Sequence, residues 1–187
     1  MFKNVIITNT FIFLFNKEKN YQMEFKIKER TAFDVKIEND ENKRKDIIKF
    51  LKARIKEDPL ENSESKTAYL KLYKYEKVKD NSYQLFSANS KNGKLLGVCV
   101  SEIYNEHLLR IDWLAVDTQH RRQGIGFAIL NYVIDYAKRH NLYNLECISL
   151  VLNKESKKFL KKAGFRKVGK LKHYWAKQDY YLWEYLP

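Results

Sequence analysis

The sequence predicts an α/β (α+β) fold: a mixed, mostly antiparallel sheet of six to seven strands, covered by about four helices. Three observations predict it. Tyr83–Ala88, Lys94–Tyr104 and Leu108–Val116 are apolar runs separated by short polar turns, which reads as a meander of antiparallel strands. Lys43–Lys56 and Ile125–His140 carry apolar residues at helical spacing. After Leu108 the order is strand, helix, strand, helix, strand, strand, and helical crossovers bring parallel pairing into the sheet.

The elements follow in order. Met1–Gln22 contains two short apolar runs, Val5–Ile7 and Phe11–Phe15, split by Thr8, Asn9 and Thr10. Together they are too short and too polar to span a bilayer, and no small-residue cleavage site follows. Residues 1–22 are therefore expected to be an appended segment, with one domain over 23–187. Glu24–Ile37 alternates loosely and suggests one or two strands, the first beginning at Met23. Lys43–Lys56 places Ile47, Ile48, Leu51 and Ile55 on one helical face, and Asp58-Pro59 stops it. Glu61–Lys66 reads as a loop. Thr67–Val78 fits a helix with an aromatic face better than a strand.

The meander follows, with Asn92-Gly93 as a hairpin turn. Ile125–His140 points Ile125, Ile129, Tyr132, Val133 and Tyr136 inward, and Asn141 can cap its end. Leu145–Leu152 is nearly all apolar, as in a strand buried on both faces. Lys154–Ala163 is a short helix closed by Gly164. Phe165–Leu171 and Tyr180–Tyr185 make a last hairpin.

Composition narrows the function. The chain has 187 residues, 44% apolar and 32% charged, which fits a globular domain with a sizeable core. A formal net charge of +13 implies anionic partners: nucleic acid, an acidic membrane surface or a polyphosphate. Lys is scattered and the aromatics sit at core-periodic positions, so no nucleic-acid partner is expected. Cys99 and Cys147 lie in apolar strands without metal-ligand or disulfide spacing, which fits the cytoplasm and leaves no metal site.

The chemistry concentrates in Leu108–Gly126, LLRIDWLAVDTQHRRQGIG. An apolar strand carrying Asp112 leads into a polar turn. Arg121-Arg122-Gln123-Gly124-Ile125-Gly126 then opens a helix. Unpaired first-turn N–H groups, the helix dipole and glycines without a Cβ make an anion site. Phe127-Ala128 after the last Gly excludes a P-loop, and no third Gly completes a dinucleotide fingerprint.

Arg121-x-x-Gly124-x-Gly126 after Leu114-Ala115-Val116 resembles the acetyl-CoA signature of the GNAT family of N-acetyltransferases. Asn153, Ser156, Phe159 and Gly164-Phe165 fall at spacings that resemble the family's next motif, so the likeness spans Ser82 to the C-terminus. It implies a sheet splayed between Leu108–Val116 and Leu145–Leu152, with acetyl-CoA as co-substrate in the gap. Leu114, Ala115 and Val116 would line the pantetheine arm, and the Leu114 N–H would stabilise the oxyanion. Arg121, Arg122, Gln123, Gly124, Ile125, Gly126 and Phe127 would hold the diphosphate. Asn153, Ser156 and Phe159 would form the other wall.

One position departs from the family. Leu160 stands where a Tyr often protonates the departing thiolate, and Leu has no proton to give. Tyr174, Tyr180 and Tyr181 are substitutes to judge by geometry. For the base that deprotonates the amine, Asp112 leads and Glu102 is second; strand alternation puts Asp112 on the face of Leu114 and Val116. Pairing with Arg110 or another Lys or Arg is the structural alternative for Asp112. His120 reads as a phosphate neighbour or surface residue. The implied activity is acetyl transfer from acetyl-CoA to a primary amine on a small molecule or peptide; the alternatives are a catalytically silent acyl-CoA-binding protein of the same fold and a basic nucleic-acid-binding module. The aromatic C-terminal hairpin can pack within the chain or across a homodimer.

Overall fold

The computed structural model describes residues 33–72 and 83–187. The segment 1–22, the strand expected from Met23 and positions 73–78 lie outside them. Among the described residues, seven strands and four helices run in the order β1 (Phe33–Ile37), α1 (Glu41–Glu57), α2 (Ser63–Leu72), β2 (Tyr83–Ser90), β3 (Leu95–Tyr104), β4 (Leu108–Val116), a 3-10 turn (Thr118–His120), α3 (Ile125–Arg139), β5 (Asn144–Leu150), α4 (Lys154–Lys162), β6 (Arg166–Trp175) and β7 (Gln178–Tyr185). They form one open sheet ordered β1-β2-β3-β4-β5-β7-β6. Only β4 and β5 pair in parallel among the described strands, because α3 carries the chain back between them.

Local signals account for the boundaries. The Asp40 side chain accepts from the Lys43 N–H and caps α1, whose Ile47, Ile48, Leu51 and Ile55 are buried. α2 begins inside the stretch expected to be a loop, because Asn62 Oδ1 accepts the Ser65 N–H at 2.7 Å and starts the helix early. Gly93 turns the β2–β3 hairpin with φ at +76°. Asn141 takes φ of +55° just past α3, as a C-terminal cap requires.

The expectation for Leu145–Leu152 needs correction. The strand stops at Leu150, its burial alternates along most of its length, and Leu152 is 69% exposed. One face is sealed by the core. The other carries Glu146 and Ile148, which are half-buried.

Two hydrophobic layers sandwich the sheet. On one side α3 packs Ile125, Ile129, Val133 and Ala137 against Leu96, Cys99, Leu109, Ile111, Leu145 and Cys147. On the other, α1 and α2 bring Ile47, Leu51, Ile55 and Tyr69 against Leu85, Val98, Val100 and Ala115. Gly97 sets how closely α3 approaches. A Cβ there would lie 2.9 Å from Ile129 Cδ1 and 3.1 Å from the Ala115 carbonyl oxygen. Gly97→Ala therefore overpacks the start of α3, at a cost of about 1–3 kcal/mol. The expected result is a melting temperature several degrees lower by calorimetry; an unchanged value would mean that α3 moves aside without cost.

Candidate active site

Two irregularities in β4 build the cleft. The first is a bulge. Val100 pairs with Trp113 and Ser101 with Ile111, so Asp112 has no partner on β3. The second is a parting of strands. Pairing of β4 with β5 runs from Leu108–Asn144 to Ile111–Cys147 and ends there. Beyond it, Asp112–Val116 and Ile148–Leu150 diverge.

The ladder phase shows what faces the gap. Asp117 N–H donates to the Leu96 carbonyl at 2.8 Å. With Gly97 opposite Val116, this makes Val98–Ala115 a bonded pair, and Gly97–Val116 and Cys99–Leu114 non-bonded pairs. Leu114 and Val116 thus turn their N–H and C=O groups away from β3, toward the departing β5. There no strand pairs with them.

The loop after β4 closes one end of this gap. Asp117 accepts from the Gln119 N–H at 3.0 Å and lies 2.9 Å from His120 Nδ1, so His120 is tied to the turn. Those bonds hold the Asp117 carboxyl below its usual range, the contact with His120 acting most strongly. Arg122 and Gly124 both take positive φ, +63° and +84°. Gly124 offers α3 no side-chain cap, and the first helical bond is Ala128 N–H to the Gly124 carbonyl. The N–H groups of Ile125, Gly126 and Phe127 therefore lack helical acceptors and point out of the N-terminus, where the dipole favours an anion.

Arg121 Nε donates to the Val116 carbonyl at 3.4 Å, and Gln123 Nε2 to the Gln119 carbonyl at 3.4 Å. Arg122 pairs with Glu155 of α4 at 2.7 Å, which ties the loop to the far wall. On that wall Asn153 Oδ1 accepts the Ser156 N–H at 2.9 Å and caps α4. Phe159 lies against Gly126 and its ring centroid is 4.7 Å from that of Phe127. Leu160 is buried in the α3-side core.

Asp112 is half-buried, and burial pushes its carboxyl up to about 7; Glu102 adds to the rise and Arg110 opposes it. The structural alternative, an ion pair with Arg110, does not form within 4 Å, and that guanidinium sits 4.3 Å over the Tyr104 ring instead. Glu102 stands opposite Arg110 across β3–β4 and accepts a hydrogen bond from Tyr104. The bulge interrupts the strict alternation that grouped Asp112 with Leu114 and Val116, while the Asp112 charge reaches Cys99, the partner of Leu114. Ile111 and Leu114 both pack toward α3, while Trp113 packs toward α1 and α2.

Sequence reasoning missed a buried polar group on the α2 side. Glu61, Ser65 and Tyr69 recur every fourth residue, a helical-face spacing that could have revealed it. Ser65 Oγ donates to Glu61 Oε2 at 2.5 Å, and the Tyr180 hydroxyl lies 3.2 Å from the same oxygen. Tyr69 stacks on Trp175 at 5.2 Å and meets Trp113 edge-on at 4.7 Å. Of the three tyrosines weighed as substitutes for the family Tyr, Tyr180 alone lies in this group. Tyr181 lies under the Lys157 and Lys167 ammonium groups, and Tyr174 is 50% exposed.

The positive charge also proves uneven. Residues 154–177, which form α4 and β6, contain ten Lys or Arg and a single Glu. Lys154, Lys157, Lys158, Lys161 and Lys167 line one groove of about 400 Å³ beside Tyr181.

Comparison with known proteins agrees with this arrangement. The model of the acetyltransferase (GNAT) family matches residues 49–165. The chain is 37% identical over 99 residues to the UPF0157 protein YqkA of Bacillus subtilis; the match covers 52% of this chain and 28% of that protein, so the chain spans about a quarter of that relative. Among solved structures, a GNAT-family acetyltransferase from Desulfovibrio desulfuricans aligns with a TM-score of 0.67 at 16% identity, covering 83% of this chain and 99% of that one. The ribosomal-protein-S5-alanine acetyltransferase of Vibrio fischeri aligns at 0.64 and 22%, covering 88% and 96%. A GNAT acetyltransferase from Elizabethkingia anophelis, solved with acetyl-CoA bound, aligns at 0.54 and 22%, covering 57% and 77%. The open seven-stranded sheet is the one these structures share, and with the family model covering most of its length the chain belongs to the GNAT family of acetyltransferases.

Proposed function

We propose that the protein transfers the acetyl group of acetyl-CoA to a primary amine of a small molecule or peptide. The parting of β4 from β5 after Ile111 carries this reading, because it leaves the Leu114 and Val116 backbone groups facing a gap that ends at the uncapped start of α3. Acetyl-CoA fits that gap. Its diphosphate goes to the N–H groups of residues 124–127, with Arg121 beside them. Its pantetheine amides pair with Leu114 and Val116 as an added strand does. Arg122 is held by Glu155, so its part is to brace the loop against α4.

The residues then divide the chemistry. A lysine-like ammonium has a pKa of about 10.4, and an ordinary Asp near 3.9 lies roughly 6.5 pH units below it. With Asp112 raised to about 7, the mismatch shrinks to roughly 3.5 units. Asp112 takes one proton from the ammonium, and the neutral nitrogen attacks the thioester carbon. The Leu114 N–H supports the oxygen charge of the tetrahedral intermediate. Collapse breaks the C–S bond; the nitrogen's second proton goes to the thiolate. A thiol of reference pKa about 8.5 leaves tolerably well near neutrality, which Leu160 requires.

Isothermal titration of acetyl-CoA at low salt tests binding, and release of free thiol across a panel of amines tests transfer. Binding with turnover is expected. Binding without turnover on any amine would favour the catalytically silent alternative, and no binding would end both. With the best amine, kcat/KM should rise with pH and level off above an apparent pKa near 7, because Asp112 accepts a proton only when ionised. A profile flat from pH 5.5 to 8.5 would exclude it as base. Nucleic acid has no part in this reading, although the ten-to-one basic run over 154–177 favours it; a gel shift that weakens with salt would revive that alternative.

A further inference from the structure

We propose that the groove between α4 and β6 binds single-stranded nucleic acid through its phosphodiester backbone, whatever the base sequence. The groove lies on the far side of α4 from the acetyl-CoA cleft, so this is a second site, independent of the transfer reading.

Lysines that are scattered in the sequence meet in the fold. Three contacts mark the cleft side of α4: Phe159 against Gly126, Glu155 with Arg122, and Lys162 over the Phe127 ring at 5.2 Å. Lys154, Lys157, Lys158 and Lys161 recur at three- and four-residue steps and line the groove instead. Lys167 joins them from β6, where it stands opposite Trp183. The Tyr181 ring forms the floor, with the Lys157 and Lys167 ammonium groups 5.6 and 4.6 Å from its centroid. Trp183 Nε1 donates to Ser149 Oγ at 2.8 Å, which fixes the strand beneath. β6 is the last strand of the sheet, so the groove opens to solvent along that edge.

Charge makes the partner anionic. Five ammonium groups border a space of about 400 Å³, and among the described residues none of the five has a carboxylate within 4 Å. Nearby acids are engaged elsewhere: Glu155 with Arg122, Glu184 with Arg166, Asp179 with Lys170. The Tyr181 ring holds two of the ammonium groups without cancelling their charge. Like charges gathered in this way repel one another, and an entering anion relieves the repulsion. A chain of phosphates gains most, because each contact also releases counterions condensed on that chain.

Three features favour a phosphodiester strand over other polyanions. No Arg lines the groove; a carboxylate of an acidic peptide gains most from the planar Arg fork, whereas Lys meets a phosphate as a point charge. Lys154 and Lys158, like Lys157 and Lys161, lie one turn apart, about 6 Å along the helix, so the charges form a line rather than a cage for one small ion. A single strand bends to follow that line, whereas a duplex with a persistence length of about 50 nm does not. Finally, Trp183 is 1% exposed and Tyr181 is covered by ammonium groups, so neither ring offers a base a face to stack on. The groove reads charge, not sequence.

Fluorescence anisotropy of the full chain with labelled oligo(U) RNA and oligo(dT) DNA tests this between 50 and 200 mM salt. With five phosphates engaged, affinity should fall roughly 100-fold over that range, a slope of about −3.5, and the two oligonucleotides should agree within about fivefold. Lys157→Gln/Lys161→Gln/Lys167→Gln should weaken binding at 50 mM salt by about 20-fold or more and flatten the slope to about −1.4. Lys49→Gln/Lys52→Gln/Lys56→Gln removes the same charge from α1, where lysines line another groove, and should stay within about threefold of wild type. Equal losses in the two triple variants would show that net charge alone binds, and would overturn the proposal. So would displacement by excess acetyl-CoA, equal affinity for poly-glutamate of the same length, or a tenfold preference for one oligonucleotide. Labelling of wild type with acetic anhydride, read by mass spectrometry, gives the same answer without a variant. The oligonucleotide should protect Lys157, Lys161 and Lys167 but not Lys49, Lys52 and Lys56; the reverse pattern overturns the site. Transfer is measured separately on the amine panel, and its failure would leave this result standing.

Discussion

Gly124→Glu should raise the dissociation constant for acetyl-CoA at least a hundredfold, while far-ultraviolet circular dichroism shows the fold intact. Two effects add. Gly124 sits at φ +84° and ψ −8°, a left-handed conformation that costs an L side chain about 1–2 kcal/mol. Any Cβ meets that penalty, so Gly124→Ala should weaken binding by tenfold or less and serves as the control. The carboxylate adds the larger effect. It enters the place where uncapped N–H groups await an anion, competes for them and repels the diphosphate. The position lies in a loop outside the packed core, so the damage stays local. Arg121→Ala should also weaken binding, with a flatter dependence on salt, because one cation facing a polyanion is removed. Titration at two salt concentrations measures both. A Gly124→Glu affinity within threefold of wild type would show that the diphosphate does not lie at this loop.

Much of this site was legible because its physics is local. A helix start with two glycines and an Arg can be read in sequence alone, and the structure puts Gly124 at the N-cap of α3 with Arg121 in the loop before it. β4 spans Leu108–Val116 as expected, because alternating apolar residues between two polar turns leave little choice. The parting of β4 and β5 came from family likeness, since nothing in either strand's composition announces where pairing stops. The bulge at Asp112 was invisible for a related reason. Register is set between strands, and an extra residue on one strand changes every later facing without changing its own sequence pattern. Glu61 was hidden in a stretch read as a loop. Its contacts emerge only when α2 folds and lays Ser65 and Tyr69 in line, then meets Tyr180 from a strand more than one hundred residues later.

Asp112→Asn separates what the proposed transfer needs from what the fold prefers, and the two should move in opposite directions. Asn is nearly the same size but accepts no proton at neutral pH. Loss of a general base slows transfer by about 10²–10⁴-fold. Acetyl-CoA affinity should hold within a factor of two or three, since Asp112 lies outside the diphosphate loop. The stability effect follows from linkage. Asp112 holds its proton up to about pH 7 when folded and loses it near 3.8 when unfolded. Between those values the native state binds more protons, so unfolding becomes easier as pH rises, and above 7 the burden is complete. The variant carries no such burden. It should melt several degrees above wild type at pH 8, with the advantage vanishing as pH falls toward 4. The difference of about three pK units, at about 1.36 kcal/mol each, sets an upper bound of roughly 4 kcal/mol. An acceptor whose amine is already neutral at pH 8 should lose less rate than an alkylamine, because the step that Asp112 performs is then partly done. Unchanged turnover would pass the base role to Glu102. Slower transfer without added stability would mean that the carboxylate has a cationic partner in solution, and that its proton is set by that pair rather than by burial.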